Sequence, residues 1–214
     1  MTEQPPMISQ TPVLHKKRGV KKIRKLLTLS EVYELLEKNR ISYKKHFDLW
    51  ERDKALIALL LLSGLRINEA LRLKLKQFDF GDKHFIIIRD VQTSKRGLPR
   101  EEIPLPLEGK LSPFTSILRE WLVKLPSLES YVIPSTSMFG IHWNRPLSRQ
   151  RSHYIVKQLT GFFPHYYRSL CESHYGRIFK TNWALKDFMG LTDLRSTEPY
   201  VKTDWRDYQD KMME

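Results

Sequence analysis

Apolar residues recur at helical spacing along most of this chain. The segment TLSEVYELLEKN, which begins at Thr28, places its apolar positions three and four residues apart, and Ser30 is a candidate N-cap for that helix. A second helix is predicted from about Leu49 to Leu62, where SGLR interrupts the pattern, and INEALRLKL resumes helical spacing over residues 67–75. Further helical patterns cover residues 113–124, 148–160, 166–179 and 183–189.

A β pattern lies between these helices. HFIIIRDV at 84–91 is rich in β-branched residues, and EEIPLP at 101–106 follows it after the polar turn SKRGLP. Two such runs joined by a turn predict an antiparallel hairpin. The fold class is therefore mainly α with a small antiparallel β-hairpin or sheet (α+β), in one compact domain from about residue 28 to 200, and no internal repeat is visible.

The composition predicts an intracellular protein that binds nucleic acid. The 214 residues are 41 % hydrophobic, enough for a packed core, and carry a formal charge of +13, which suits a polyanion. The apolar run ALIALLLL at 55–62 is far shorter than the roughly 20 residues that span a bilayer, so it predicts a buried helix and no membrane partner. The single Cys171 excludes an internal disulfide, and the sequence opens without a signal-peptide pattern. A cytoplasmic or nucleoid-associated location is the expectation.

The first 27 residues are predicted to form a flexible basic arm. They begin with the polar and proline-containing MTEQPPMISQTP and continue with HKKRGVKKIRK. Its basic residues are Lys16, Lys17, Arg18, Lys21, Lys22, Arg24 and Lys25. Such arms bind phosphates without sequence preference, so these residues are candidate DNA contacts. A localisation signal or a contribution to solubility is the alternative.

Three further features are ordinary when each is taken alone. Arg66 follows a glycine at a break between two helices, where a helix start favours an anion, but it could equally be a surface arginine paired with Glu69. His165 and Arg168 in PHYYRSL are three residues apart, so on a helix both side chains point the same way and could bind one phosphate. Lys95 lies at the tip of the predicted hairpin, where polar residues are usual.

Taken in order, these features resemble the catalytic domain of the tyrosine recombinase (phage integrase) family, over roughly residues 27–200. TLSEVYELL looks like the opening helix of that domain, and SGLRINEALRLK is very similar to the motif of its first arginine. SKRG followed by EEIPLP resembles the β-hairpin lysine segment, and HYYRSL the HxxR box. LKDFMGLTDLRSTEPYVK matches the nucleophile region. Five segments in the right order make a specific signal, and they imply the tyrosine recombinase catalytic-domain fold.

The resemblance implies a catalytic set of Arg66, Lys95, His165, Arg168 and Tyr200. The two arginines would hold the non-bridging oxygens of a DNA phosphodiester, and the tyrosine would attack its phosphorus to form a 3′-phosphotyrosyl link. The lysine would act as general acid for the leaving 5′-oxygen, while the histidine would orient the phosphate or assist proton transfer. The link conserves bond energy, so no cofactor and no metal is expected.

The expected partners also follow from the resemblance. The substrate is a double-stranded DNA target site, with Arg96 beside the hairpin lysine as a further DNA contact, and the assembly on DNA is a homo-tetramer. The tail at 201–214 has Val201, Trp205, Tyr208 and Met212 on one apolar helical face. This face could fold back on its own domain or contact a neighbouring protomer.

Two departures from the family pattern leave alternatives open. Leu191 stands where the family usually carries a histidine or tryptophan, and a leucine can pack but cannot hydrogen-bond a phosphate. The family usually carries a helical core-binding domain before the catalytic domain, and this sequence has only the basic arm at that place. One alternative is therefore a DNA-binding protein that has kept the fold with weak or no cleavage. Another is a type IB topoisomerase, which shares the chemistry but relaxes DNA.

Other chemistry is less consistent with the sequence. Tyr166 and Tyr167 flank the HxxR helix and are interpreted as packing residues. His165, Cys171 and His174 have irregular spacing and no nearby fourth soft ligand, which argues against a zinc site. No glycine-rich phosphate loop of the Walker type is present, so ATP use is not expected.

Overall fold

The computed structural model describes residues 26–38, 47–92, 99–179 and 181–196. Within these ranges the helices are α1 (Leu29–Lys38), α2 (Phe47–Ser63), α3 (Ile67–Ala70), α4 (Ser112–Leu122), α5 (Arg149–Thr160), α6 (Pro164–Ile178) and α7 (Asn182–Met189). The strands are β1 (Phe78–Asp79), β2 (Phe85–Val91), β3 (Arg100–Pro106), β4 (Pro134–Ser137) and β5 (Gly140–Pro146). The predicted class, mainly helical with small antiparallel sheets, is confirmed.

Helix α2 is the centre of the hydrophobic core. Residues 55–62 are all at most 1 % exposed, as the uninterrupted apolar run predicts for a helix buried on every side. The helix packs against α4 and α6, and it also contacts β3. Because its carboxyl end leads directly into the Gly64–Arg66 break, the core holds that break in a defined position. No helix in the described ranges is long and apolar enough to cross a membrane.

The cap of helix α1 lies before the residue predicted for it. Thr28, not Ser30, occupies the N-cap: its Oγ1 accepts a hydrogen bond from the Glu31 backbone N–H at 3.2 Å. The Glu31 carboxylate in turn accepts from the Thr28 backbone N–H at 2.6 Å. This reciprocal pair is a capping box, in which a residue three positions after the cap returns the hydrogen bond. Ser30 lies within the first turn of the helix.

The predicted helix over 67–75 is wrong beyond its first turn. Helix α3 ends at Ala70, and the backbone then extends towards the segment around Tyr131, with which Lys74 forms an antiparallel bridge. The Leu73 carbonyl accepts from the Val132 N–H at 2.9 Å. Leu71 is buried in the turn that ends α3, and Leu73 is buried beside the paired segment, whereas Leu75 is only half-buried.

The predicted hairpin is confirmed and belongs to a three-stranded antiparallel sheet in the order β1-β2-β3. Ile88 pairs with Ile103, and both are fully buried. The alternation of buried and exposed side chains along β2 shifts by one residue at Asp90, which has a φ of 52°. Beyond that point Val91 and its partner Arg100 both turn inward. A φ in the left-handed region is tolerated by aspartate better than by most residues.

A second sheet, β4 paired with β5, was not predicted. Its sequences, PSTS and GIHWNRP, carry few of the β-branched residues that mark a strand. The ring of Trp143 on β5 stacks on Trp121 of α4, with centroids 5.7 Å apart. The Trp121 indole N–H donates to the Val132 carbonyl at 2.7 Å, so tertiary contacts position this sheet.

Candidate active site

Arg66 occupies the N-cap of α3, with extended backbone at φ −69° and ψ 147°. Its guanidinium Nη1 lies 3.1 Å from Glu69 Oε1, and its backbone N–H donates to Glu69 Oε2 at 2.8 Å. The Glu69 side chain is 2 % exposed and that of Arg66 33 % exposed. The buried carboxylate of Glu69 therefore holds an arginine that still reaches solvent.

Gly64 is favoured at the break because its backbone is left-handed and two neighbouring side chains approach it closely. Its φ is +59°, and a Cβ added there would lie 2.6 Å from Met189 Cε and 3.0 Å from Cys171 Sγ. The end of α7 and the middle of α6 thus pack directly against this residue. The close approach fixes the position of Arg66, two residues later, relative to α6.

Replacing Gly64 by alanine is expected to lower the free energy of unfolding by about 2–4 kcal/mol, from left-handed strain and overlap with Met189. Gly161 is a matched control, since it has a φ of +78° and an added Cβ would meet nothing within 4 Å. Gly161→Ala should lose about 1 kcal/mol from backbone strain alone. Urea denaturation of both variants measures the difference. Equal losses would contradict a specific role for the close approach.

Arg168 is buried on α6 and anchored by three groups. Its guanidinium donates to the Gly64 carbonyl and to the Met189 carbonyl, the latter at 2.9 Å, and its Nε lies 3.3 Å from Glu172 Oε1. Burial lowers the pKa of Arg168 and the neighbouring Arg66 lowers it further, while Glu172 opposes both effects. A guanidinium has five N–H donors. These three contacts leave one further N–H on each terminal nitrogen.

A cavity of about 240 Å³ brings together three of the predicted residues, Arg66, His165 and Arg168. Its lining consists of Leu65, Arg66, Ile67, Arg149, His153, Pro164, His165 and Arg168. The prediction that the histidine and arginine of the HxxR box face the same way is confirmed. Their burial differs: His165 is exposed in the first turn of α6, whereas Arg168 is 3 % exposed. The lining is apolar or basic throughout, so the cavity is suited to an anion.

Sequence reasoning missed two members of this lining, Arg149 and His153. They are four residues apart on α5, so both lie on the same side of that helix. Burial lowers the pKa of His153, and the positive charge of Arg149 adds to the effect. The spacing in RQRSH was the available signal, but nothing in the sequence indicates that this helix side meets the HxxR box.

Arg100 is a further residue that sequence reasoning missed. It is 5 % exposed on β3, and its Nη1 donates to the Ser63 carbonyl at 2.9 Å and the Phe188 carbonyl at 2.8 Å. Its Nη2 lies 4.0 Å from Glu69 Oε2. Burial, followed by repulsion from Arg168, lowers the pKa of Arg100 to about 10. Arg100 thus ties the ends of α2 and α7 together and adds positive charge beside the carboxylate that holds Arg66.

Leu191 packs as predicted. It is half-buried against the hydrophobic core, directly after Gly190, which ends α7 with a φ of 60°. The Leu191 backbone N–H donates to the Lys186 carbonyl at 2.9 Å, which completes a Schellman-type helix end. The side chain supplies no hydrogen-bond donor to the site.

Several tyrosines near the HxxR box are packing residues, as expected for Tyr166 and Tyr167. The Tyr166 hydroxyl accepts from the Leu27 backbone N–H at 2.8 Å, and its ring stacks on Phe162. Tyr167 is 0 % exposed, and burial raises the pKa of its hydroxyl. Burial raises the pKa of Tyr175 as well. The hydroxyls of Tyr167 and Tyr175 are therefore not suited to ionise as nucleophiles.

The remaining predicted site residues lie outside the described ranges. These are Lys95, Arg96, Tyr200 and the basic residues of the arm, together with the tail at 201–214. Among the described residues, no group of three histidine, cysteine, aspartate or glutamate side chains could hold a metal ion.

Several solved structures of known proteins share the fold of this chain. The XerH site-specific recombinase in a post-cleavage complex with palindromic difH substrate superposes with a TM-score of 0.63 at 18% identity, over 87% of this chain and 51% of that chain. XerA recombinase gives a TM-score of 0.57 at 15% identity, over 94% and 66%. A lambda integrase dimer bound to a COC′ core site gives 0.57 at 16%, over 87% and 50%.

These likenesses establish a shared fold, and the chain spans about half the length of the XerH and lambda integrase chains. No curated protein sequence matches it. The family model described as "Phage integrase family" matches residues 25–205, which include the Arg66 break, the hairpin, the HxxR helix and Tyr200. That match extends over most of the sequence, and the chain therefore belongs to the phage integrase family.

Proposed function

We propose that this chain is the catalytic part of a site-specific DNA recombinase or integrase. It would cleave and rejoin double-stranded DNA through a covalent 3′-phosphotyrosyl intermediate. The observation that carries the proposal is the cavity shared by Arg66, His165 and Arg168, which has no acidic side chain among the described residues of its lining. The formal charge of +13 favours approach to DNA.

The cavity is suited to a phosphodiester. Arg66 is partly exposed, and Arg168 has an N–H on each terminal nitrogen beyond its three anchoring contacts, so both can donate to the two non-bridging oxygens. Glu69, Glu172 and the backbone carbonyls orient the guanidiniums before the substrate arrives. Donors held in place in this way stabilise the charge of the transition state without reorganising during the reaction.

Tyr200 and Lys95 complete the proposed chemistry. The deprotonated Tyr200 hydroxyl attacks phosphorus, the bond from phosphorus to the 5′-oxygen breaks, and Lys95 gives its proton to that oxygen. His165 orients the phosphate or assists removal of the tyrosine proton. In rejoining, a 5′-hydroxyl attacks the phosphotyrosyl link and the tyrosine leaves. The number of phosphoester bonds is unchanged, so the reaction needs no nucleotide cofactor.

Covalent trapping on DNA of randomised sequence tests the proposal for any target site. The full chain is incubated with a pool of labelled duplexes, each with a randomised centre and a nick that lets the short fragment with the freed 5′-hydroxyl diffuse away. The expected result is an SDS-resistant protein–DNA adduct whose recovered sequences share one site. Relaxation of any supercoiled plasmid without a preferred site would instead indicate topoisomerase activity. Absence of both products would refute the proposed catalysis.

A second candidate is a DNA-binding protein with little cleavage, and the packing of Leu191 against the core favours it. Loss of one donor to the transition-state oxyanion costs about a hundredfold or more. This candidate predicts salt-sensitive DNA binding, with no adduct from the natural chain under any condition. An adduct formed only by the Leu191→His variant would support it.

The proposed partner is double-stranded DNA, bound by the domain over residues 28–200 and by the basic arm at 1–27. On DNA the chain is proposed to act as a homo-tetramer in which the tail at 201–214 contacts a neighbouring protomer. A cleft of about 1170 Å³ could receive such a tail. It is lined largely by apolar side chains at the start of α1, at the end of α6 and on α7, including Leu29, Ile178 and Phe188.

Removing residues 203–214 is expected to prevent tetramer formation on DNA. The truncation removes most of the predicted apolar face of the tail, and therefore also the contact that would cover the cleft. Analytical ultracentrifugation with a trapped duplex measures the assembly. Trp205→Ala should weaken it, whereas Asp210→Ala, off the apolar face, should not. A truncated chain that still forms tetramers would contradict the role of the tail.

A further inference from the structure

His153 has a polar atom for which the described structure provides no partner. Its ring Nε2 is buried, and no described group forms a hydrogen bond with it. The residue lies on α5 and lines the same cavity as Arg66, His165 and Arg168. Buried polar atoms are nearly always paired in folded proteins, so this nitrogen, which belongs to a residue lining the candidate site, is placed to form a hydrogen bond with a bound group.

The surroundings define the chemistry of that ligand. The charged side chains of the lining, Arg66, Arg149 and Arg168, are all cations that donate hydrogen bonds, and none of the lining residues that the structure describes is acidic. A group that satisfies the imidazole and the guanidiniums together must therefore offer several negatively charged oxygens. A phosphate has this property, and the cavity volume of about 240 Å³ can accommodate one phosphate group.

We propose that His153 binds the scissile phosphate directly, donating from Nε2–H to a non-bridging oxygen. It would supply the hydrogen bond that Leu191 cannot make. This inference rests on the proposed function for the identity of the phosphate. Arg149, on the same side of α5, adds positive charge next to the imidazole.

A purely structural histidine would behave differently when replaced. His153→Phe keeps a planar ring of similar size and removes the unpaired nitrogen. That nitrogen forms no hydrogen bond with a described group in the DNA-free protein. The free energy of unfolding of the variant should therefore equal or exceed that of the natural chain. His153→Gln keeps an N–H donor at a similar reach. The order of phosphate affinity should therefore be His, then Gln, then Phe.

Titration of the full chain with inorganic phosphate tests the contact without any cleavage. The imidazole resonances of His165 report occupancy of the cavity in every variant. We expect His153→Phe to weaken phosphate binding about tenfold, the effect of losing one hydrogen bond to a charged group, and His153→Gln to weaken it about threefold or less. Lys157→Ala is the matched control, because it removes a full charge from an exposed position of the same helix.

Any of three titration results would overturn the proposal. The first is unchanged phosphate affinity in His153→Phe, and the second is an effect of Lys157→Ala as large as that of His153→Phe. Failure of phosphate to shift the His165 resonances of the natural chain would also overturn it, since the cavity would then not be an anion site.

Adduct formation on a trapped duplex separates this inference from the proposed function. His153→Phe is expected to slow adduct formation about a hundredfold while DNA affinity changes less than about threefold. A methylphosphonate at the scissile position removes one anionic oxygen, so the effect of the variant should shrink on that substrate. An adduct formed at the natural rate by His153→Phe would refute this inference alone. Absence of an adduct from the natural chain would refute the catalytic function, and the phosphate titration would then decide the role of His153.

Discussion

Replacing Tyr200 by phenylalanine is expected to abolish the SDS-resistant DNA adduct, a loss of about 10³-fold or more, while DNA affinity stays within about twofold. The substitution removes one hydroxyl, and a phenyl ring cannot form a phosphotyrosyl link. The described structure strengthens this expectation because the tyrosines near the HxxR box are not suited to replace Tyr200 as the nucleophile. Tyr166 packs against Phe162, and burial raises the pKa of Tyr167 and Tyr175.

Tyr208→Phe is the control for this experiment, since it makes the same chemical change eight residues along the chain and should leave adduct formation intact. Adduct yield on the trapped duplex pool and DNA affinity by fluorescence anisotropy are measured for both variants. An adduct from Tyr200→Phe would show that another residue is the nucleophile. Loss of the adduct in Tyr208→Phe alone would move the assignment to that residue.

Replacing Arg168 by alanine is expected to cost about 3–5 kcal/mol of folding stability in addition to cleavage activity. The buried guanidinium links the Gly64 and Met189 carbonyls and faces Glu172 at 3.3 Å. Its removal leaves two buried carbonyls without this donor and a buried carboxylate without its opposite charge. Urea denaturation measures the loss. Arg177→Ala, at an exposed position of the same helix, should change the stability by less than about 0.5 kcal/mol.

Arg168→Lys separates the catalytic contribution from the structural one. Lysine keeps the positive charge near Glu172, so less stability should be lost than with alanine. Its single ammonium cannot contact both carbonyls and a phosphate at once, so adduct formation per folded molecule should still fall about a hundredfold or more. A lysine variant that is fully folded and fully active would show that Arg168 only needs to be a cation.

Most of the helical framework followed from the sequence because it depends on local periodicity. Helices α2 and α4 to α7 were predicted within a few residues, and the β2–β3 hairpin followed from its β-branched strands and polar turn. The errors have non-local causes. Leu71, Leu73 and Leu75 suggested a continuing helix, but pairing with the segment around Tyr131 extended the backbone. The β4–β5 sheet is positioned by the stacking of Trp143 on Trp121, which strand propensity does not report.

The alternation of buried and exposed side chains along β3 is a second feature that local sequence does not predict. A regular strand in which Ile103 and Leu105 face the core would place Arg100 on the opposite face. The left-handed φ of Asp90 on the neighbouring strand changes the phase, and Arg100 turns towards Glu69 and Ser63. Only the paired strands show that this arginine lies beside the carboxylate that holds Arg66.

The sequence by itself determined the class of fold, the basic character and the order of Arg66, Lys95, the HxxR box and Tyr200, because motif order and helical spacing are properties of the chain. Only the tertiary structure decided which side chains share the phosphate-sized cavity. Arg149 and His153 join the HxxR box there because α5 and α6 pack together, and Gly64 admits Met189 because it lacks a side chain. Such contacts join residues far apart in sequence, and no local pattern encodes the packing that brings them together.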